Sequence, residues 1–571
     1  MSPAERRRSK KRRARRARDA PRSPAGPMFN CFTPRRVVVG VDVGTGSARA
    51  GVFDASYGAR LATASAAIRT WTYGEGDFVE QSGDDIWRAV CLSVREAVSK
   101  AGCPAEAVVG VGFDATCSLV VVDGAGAAVS VADEPVVAGD DVRNVVVWMD
   151  HRATAEAAAI TASGHGALQC VGGVISPEME MPKIAWLKQH KPECVAPGCR
   201  LFDLADYLSW RASGDGTRST CTVACKWNWH PTKHWDDSFL AVCGLADLRR
   251  SCDIGGAFAA PGATVGSGLT AAAARDLGLP RSVAVAAGMI DAHAGGVGSL
   301  AASGEPPERT VAIIAGTSCC IMATSREAVY APGVWGPYAG AMVPGTWLSE
   351  GGQSAAGMLL DHVVASHAGR PVDCPPGEVY DLLNSRLDAL ARERGVAVFE
   401  LARHVHVDPD FRGNRAPLAD PSRAGSVVGL KLDPTLDNLA VVYLATVLAL
   451  AYQTRHVLEV LEASGHAPCA AAVVTGGMAR NALYVRALAD ALDVPVSLPE
   501  EAEAVLLGAA ALAATAANAH PTLLAAMAAM TRAADVVAPD PKLRTFHDAK
   551  YDVFRRLGDA QADFKRQMAD A

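Results

Sequence analysis

The sequence has no run of about 18 apolar residues free of charges or breakers, the length a helix needs to cross a hydrocarbon core, so no membrane span is expected. Its amino terminus lacks the apolar core of a secretory signal. It has no Cys-x-x-Cys pair, and its 15 cysteines are scattered, many of them in apolar runs (Cys91, Cys117, Cys319, Cys320). Cys194 with Cys199 and Cys221 with Cys225 are too isolated to specify a zinc site. In a long chain without a secretion signal such cysteines read as reduced thiols, which places the protein in the cytoplasm. A Walker A loop is missing too, because no Lys-Ser/Thr follows its glycine-rich turns.

What is present is ordinary in bulk and uneven in detail. At 571 residues the chain is too long for one core, so two domains are expected. Half of the residues are apolar and a fifth are charged, as in a globular protein. Residues 1–36 carry 13 Lys and Arg against Glu5 and Asp19, a net of +11, which leaves −17 on the remainder of a chain whose total is −6. The basic run Arg6–Arg18 leaves several readings open: a solvated arm, a nuclear-type address or nucleic-acid contact, a transit peptide, or an upstream extension of a start at Met28.

A turn that suits phosphate occurs twice. The apolar stretch Val37–Val43 runs into Gly44, Thr45, Gly46 and Ser47, and Val311–Ala315 runs into Gly316, Thr317 and Ser318. Small residues at such turns let several backbone amides approach one anion. Asp42 beside the first turn can hold Mg2+ through hard oxygen ligands. Around each turn the order strand, turn, strand recurs, with a helical pattern over Asp84–Ala101 (Ile86, Val90, Val94, Ala97), so an internally duplicated α/β unit is expected. The expected division is a basic tail (1–36), a first domain (37–298), a linker (299–309), a second domain (310–540) and a helical extension (541–571). The extension either packs on the second domain or stands free.

Four further patterns carry chemistry. Asp291, in the small-residue segment 288–295, suits a general base for a hydroxyl acceptor, or else caps the helix that follows. Gly476, Gly477 and Asn481 stand at a strand-to-helix junction where a ring or ribose can lie on the backbone, or where the chain simply turns. Glu350 and Gln353 follow the strand Thr346–Leu348 and can bind hydroxyls, or begin a helix. Lys226 lies among Trp227 and Trp229, either as a ligand for substrate or as a surface lysine lying on tryptophan. His293 reads as structural.

Taken in order, VDVGTGSARAGVFD, WMDHRA, PKIAWLK, GMIDAHAG, AGTS, SEGGQSAAG, FRGNRAPLADP and TGGMARN resemble the FGGY family of carbohydrate kinases, over about residues 37–540. The resemblance implies an α/β fold of two actin-like (ribonuclease H-like) ATPase domains with a cleft between them. It implies ATP and Mg2+ as cofactors and Asp291 as catalytic base. The segments at Phe113–Cys117 and Ser176–Lys183 are similar to the ribulokinase branch, whereas glycerol kinases carry an Arg-Glu pair where Ala115 and Thr116 stand. Within that branch Ala115, Thr116, Lys226, Asp291 and Glu350 are implied for the sugar. Gly44, Thr45, Gly46, Ser47, Gly316, Thr317, Ser318, Gly476, Gly477 and Asn481 are implied for the nucleotide. Glu180 departs from the family signature, where a small residue or proline is usual. Segments 74–81 and 547–565 look more like the D-ribulokinase-like group, so D-ribulose is the expected substrate. L-ribulose, another ketose or polyol, and a non-catalytic sugar sensor stay open, as does a homodimer.

Overall fold

The structure, a computed structural model, describes residues 36–74, 77–134, 139–375 and 377–569. The basic run of the tail lies outside the described residues.

Two large sheets organise residues 36–569. The first contains β1 (Val37–Val43), β2 (Ser47–Asp54), β3 (Arg60–Ala67), β4 (Val108–Ala115), β5 (Thr264–Val265), β6 (Ala284–Ala286) and β7 (Met289–Ile290). The second contains β8 (Thr310–Ala315), β9 (Cys319–Ser325), β10 (Trp335–Ala339), β11 (Trp347–Gln353), β12 (Ala471–Thr475), β13 (Val496–Pro499) and β14 (Ala533–Val537). The order in the first is β5-β6-β4-β1-β2-β3, with β7 also on β4; in the second it is β10-β11-β9-β8-β12-β13-β14. In each sheet a hairpin (β1 with β2, β8 with β9) lies beside a parallel neighbour (β4, β12) and then another (β6, β13). The expected duplication is therefore present in the topology.

Local sequence explains the first unit. β1 is buried at every position, the mark of a central strand covered on both faces. The helix α1 (Gly83–Ala101) begins at Ser82, whose side chain accepts from the Asp85 amide, and Asp84 and Asp85 lie in its first turn. It buries Ile86, Val90, Val94 and Ala97, the apolar positions read from the sequence. The strand after Thr310 and the small-residue helix over 504–516 also stand where the sequence places them.

Three features depart from the sequence reading. First, α7 (Ala504–Ala516), placed by its sequence in the second domain, packs on β1 and β4 of the first sheet. Its composition of Ala, Leu and Gly suits burial on all sides. Second, the helix α5 (Leu436–Ala463) is long and apolar enough to cross a membrane by length and composition, although the sequence reading found no such stretch. Of its most apolar window, 83% is buried inside the fold, where it forms the core of the second lobe. Third, Glu350 does not begin a helix: β11 continues through Gln353, whose Nε2 donates to the Leu450 carbonyl (2.7 Å).

The extension is α8 (Arg544–Ala569), which is docked rather than free. His547 is buried against the Tyr452 hydroxyl (2.9 Å) and Tyr551 donates to Glu459 (2.6 Å), both partners lying on α5.

The tightest junction between lobes is the crossing of α3 (Asp291–Val297) with α7. A Cβ on Gly508 would stand 2.0 Å from the Ala294 carbonyl oxygen, and one on Gly298 would stand 1.9 Å from that of Ala504. We therefore expect Gly508→Ala to destabilise the protein by about 1–3 kcal/mol through overpacking. In an uncrowded helix the same change would stabilise by roughly 0.5–1 kcal/mol. A raised denaturation midpoint would contradict the close crossing.

Candidate active site

The two hairpin turns face one cavity of about 350 Å³ between the lobes, lined by Gly44, Thr45, Gly316, Thr317 and Ser318. Both turns are closed by their own backbone, with the Gly44 amide on the Ser47 carbonyl (3.1 Å) and the Gly316 amide on that of Ser318 (2.8 Å). Each is braced from behind. Gln81 Nε2 donates to the Thr45 carbonyl (2.6 Å), Trp148 Nε1 to Thr45 Oγ1 (3.0 Å), and the Ala356 amide to the Thr317 carbonyl (2.9 Å).

Three carboxylates meet where β1, β4 and β7 end. Asp42 and Asp114 are in register across the parallel β1/β4 pair, and β7 pairs with β4 at Asp114 and Ala115 before the chain enters α3 at Asp291. Asp42 is buried and paired with Arg49, which also reaches Glu503 (2.8 Å). Asp114 is fully buried, and neither carboxylate oxygen has a hydrogen-bond partner. Burial, then the charges of Asp42 and Asp291, push its pKa well above the usual carboxylate range, which favours the protonated form. Asp291 is raised to about 6, first by burial and then by Asp42, against lowering by the Ala292 amide, His293 and Lys226. It occupies the first helical position, not the cap, which is Ile290. Hard oxygen donors with a single guanidinium among them, and Asp114 oxygens left unpartnered, fit a divalent cation such as Mg2+.

The opposite wall is cationic and aromatic. α2 (Thr220–Lys226) ends at Lys226, which is 4% exposed, so it is not a surface lysine. Its Nζ lies 4.6 Å from the ring centre of Trp335 in the second lobe. Burial opposes its charge, but the neighbouring Cys117 and Glu350 outweigh that and raise its pKa. Glu350 Oε2 accepts from His293 Nε2 (3.1 Å) and Oε1 from Arg415 Nη2 (2.5 Å). Burial opposes ionisation there as well, yet His293, Lys226 and Arg415 hold the carboxyl well below its usual range.

The structure thus brings Asp42, Gly44, Thr45, Thr116, Lys226, Asp291, Gly316, Thr317, Ser318 and Glu350 around one cavity. Ala115 is fully buried within β4, in register with Val43 and Ile290, and stays off the lining, as do Gly46 and Ser47. Gly476, Gly477 and Asn481 also lie outside it, at the end of β12 beside β8. Gly476 (φ +88°) lies so close to β8 that a Cβ would meet the Ala315 carbonyl oxygen at 2.4 Å. Asn481 caps α6 (Ala482–Leu492), accepting from the Leu483 amide (3.2 Å) and donating to the Tyr443 hydroxyl (2.6 Å). The lining also includes Arg415, Trp148 and Glu178, to which sequence reasoning gave no role. All three lie inside segments that carry the family resemblance, which was their only signal.

Residues 37–298 match the model of the FGGY family of carbohydrate kinases, N-terminal domain, and residues 311–517 that of its C-terminal domain. The chain belongs to this family and is a carbohydrate kinase of it. It is 44% identical over 554 residues to a human FGGY carbohydrate kinase domain-containing protein, covering 94% of this chain and 98% of that one. It is 38% identical over 520 residues to a D-ribulokinase of Saccharomyces cerevisiae, covering 84% of this chain and 71% of that one. The fold is similar to the crystal structure of xylulose kinase from Rhodospirillum rubrum, with a TM-score of 0.74 at 23% identity, covering 93% and 99% of the two chains. The two α/β lobes are those of the actin-like ATPase fold.

Truncating Arg415 to alanine leaves buried Glu350 with one fewer cation and should lower stability by about 1–3 kcal/mol. In a Glu350→Gln background the same truncation should cost less. Equal losses in thermal denaturation across the two backgrounds would show that the pair is not coupled.

Proposed function

We propose that this FGGY-family kinase transfers the γ-phosphoryl group of ATP to the terminal hydroxyl of D-ribulose, giving D-ribulose 5-phosphate. The observation that carries the reading is Asp291. A half-buried carboxyl raised to about 6 lies between the paired phosphate-type turns and the wall formed by Lys226 and Glu350. A base works best when its pKa is near the operating pH, and Asp291 is poised there by burial and by Asp42.

In this reading the turns Gly44–Ser47 and Gly316–Ser318 face the phosphate chain, through amides other than those of Gly44 and Gly316, which close the turns. The nucleoside extends toward Gly476, Gly477 and Asn481 at the neighbouring strand end. Asp42 and the phosphates would hold Mg2+, which supplies charge neutralisation at the transferring group when bound. On the sugar side, Lys226 and Arg415 offer donors, Glu350 and Asp291 offer acceptors, and Thr116 offers both. Asp291 takes the proton of the attacking hydroxyl. The cleft walls exclude water, so the acceptor is the sugar rather than solvent. D-ribulose is favoured over L-ribulose by the D-ribulokinase relative and by the segments at 74–81 and 547–565.

The test is ATP consumption against D-ribulose, L-ribulose, D-xylulose, glycerol and ribitol. D-ribulose should give the highest kcat/KM. Preference for L-ribulose would change the substrate, and silence on every sugar with ATP still bound would overturn the kinase reading. Asp291→Ala should lose on the order of 10²–10⁴ in rate with the fold intact. Because the base must be unprotonated, turnover should fall as pH drops through about 6. Asp42→Asn should move that limb to lower pH, and a profile flat through this range would remove Asp291 from the role.

A further inference from the structure

Directly behind Glu350, off the cavity lining, a row of buried ionisable groups joins the two lobes. Cys221 Sγ in α2 is 3.0 Å from His293 Nδ1 in α3, and His293 Nε2 is 3.1 Å from Glu350 Oε2 in β11. Cys221 is fully buried and His293 is 1% exposed. The Ile290 amide, one residue before Asp291, also points at the same sulfur (3.5 Å). The sulfur therefore touches the strand end that precedes the base and the helix that carries it, and it lies on the helix that ends in Lys226.

The partners restrict the ring's state. A carboxylate only accepts, so Nε2 must carry a hydrogen. The sulfur receives the Ile290 N–H and meets Nδ1 either as a thiol donor or as a thiolate acceptor. An imidazolium between a thiolate and a carboxylate satisfies every contact. Burial works against both charges. Even so, the Cys225 hydrogen bond and His293 lower the Cys221 thiol below its usual range, while Cys221 and Glu350 raise His293 above its own. The other titratable groups on elements packed around α3 are Asp291 itself, Cys225 and Lys226 on α2, Cys319 and Cys320 on β9, and Asp114 on β4. α7 and β8, which also pack on α3, contribute none.

We propose that Cys221 and His293 are positioning residues for phosphoryl transfer: the sulfur orients the His293 ring, and the ring holds Glu350 of the second lobe against the sugar. This rests on the reading that Glu350 binds the sugar. Neither residue lines the cavity, so neither is a catalytic residue.

The test uses the full chain and its Cys221→Ser and His293→Gln variants, with melting temperature as the control for folding. His293→Gln should raise KM for the ketose by about 10- to 100-fold, the cost of a displaced binding group, while KM for ATP stays as in the wild type. Serine keeps a hydrogen-bonding atom but does not ionise. His293 then loses its proton at lower pH, so the alkaline limb of kcat/KM should move down by about one unit or more. The ultraviolet difference spectrum between wild type and Cys221→Ser should carry one thiolate at neutral pH, whatever sugar is used. Ketose KM and alkaline limb unchanged in both variants of an active enzyme would overturn the inference and leave the kinase reading intact. So would absence of the thiolate signal, even from a protein inert to every sugar. Cys221, Cys225 and His293 also place three metal-type donors within 4.8 Å of one another. Stoichiometric zinc in the purified protein would overturn the inference too, because Nδ1 and Sγ would then be ligands.

Discussion

Three carboxyl groups meet at one junction of strand ends, Asp42 and Asp114 buried and Asp291 half-buried, and the guanidinium of Arg49 is paired with only one of them. Taking charge out of water is expensive unless it is paired, so the junction cannot stay fully ionised without a further cation. Its response is graded. Asp114 is pushed well above the usual carboxylate range, Asp291 is raised into the range of a working base, and Asp42 keeps Arg49. The parallel register of β1 with β4 and of β7 with β4 sets which carboxyl faces which. The chemistry of the cleft thus follows from strand pairing.

Cations from both lobes answer this acidity. Arg415 and His293 clamp Glu350, and Lys226 and Arg415 both lie over Trp335, each 4.6 Å from its ring centre. A ligand between the walls meets acceptors on one side and donors on the other. The duplicated topology supplies two equivalent hairpin turns, but the copies have diverged. Two residues before its first glycine the first turn has Asp42, where the second has Ile314. A site built from two copies of one unit can therefore treat the ends of its ligand differently. α7 crosses to the first sheet and meets α3 at Gly508, so the helix that begins with Asp291 is seated on backbone contributed by the far end of the chain.

Much of this was legible from residues alone. The paired Gly-Thr turns, the small-residue setting of Asp291 and the apolar spacing in α1 each reflect a local rule, either backbone approach or helical periodicity. What escaped was non-local. Lys226 reads as a neighbour of Trp227 and Trp229, yet its aromatic partner is Trp335, more than a hundred residues away. Ala115 alternates with its neighbours along a fully buried strand, so residue type could not show that Thr116, not Ala115, reaches the cavity. The helix over 504–516 has the composition of a buried helix, and composition says nothing about which sheet buries it. His293 reads as structural from its local sequence, and its bonds to Cys221 and Glu350 depend on three segments meeting in space.

The central claim is that Asp291 receives the proton of a sugar hydroxyl aimed at a phosphate held between the two turns. A crystal structure of the Asp291→Asn variant with ATP, Mg2+ and D-ribulose tests it most directly. The account predicts the sugar's terminal hydroxyl within hydrogen-bond distance of residue 291, with the γ-phosphate between Gly44–Ser47 and Gly316–Ser318. A sugar bound elsewhere, or one presenting a different hydroxyl to that phosphate, would contradict it.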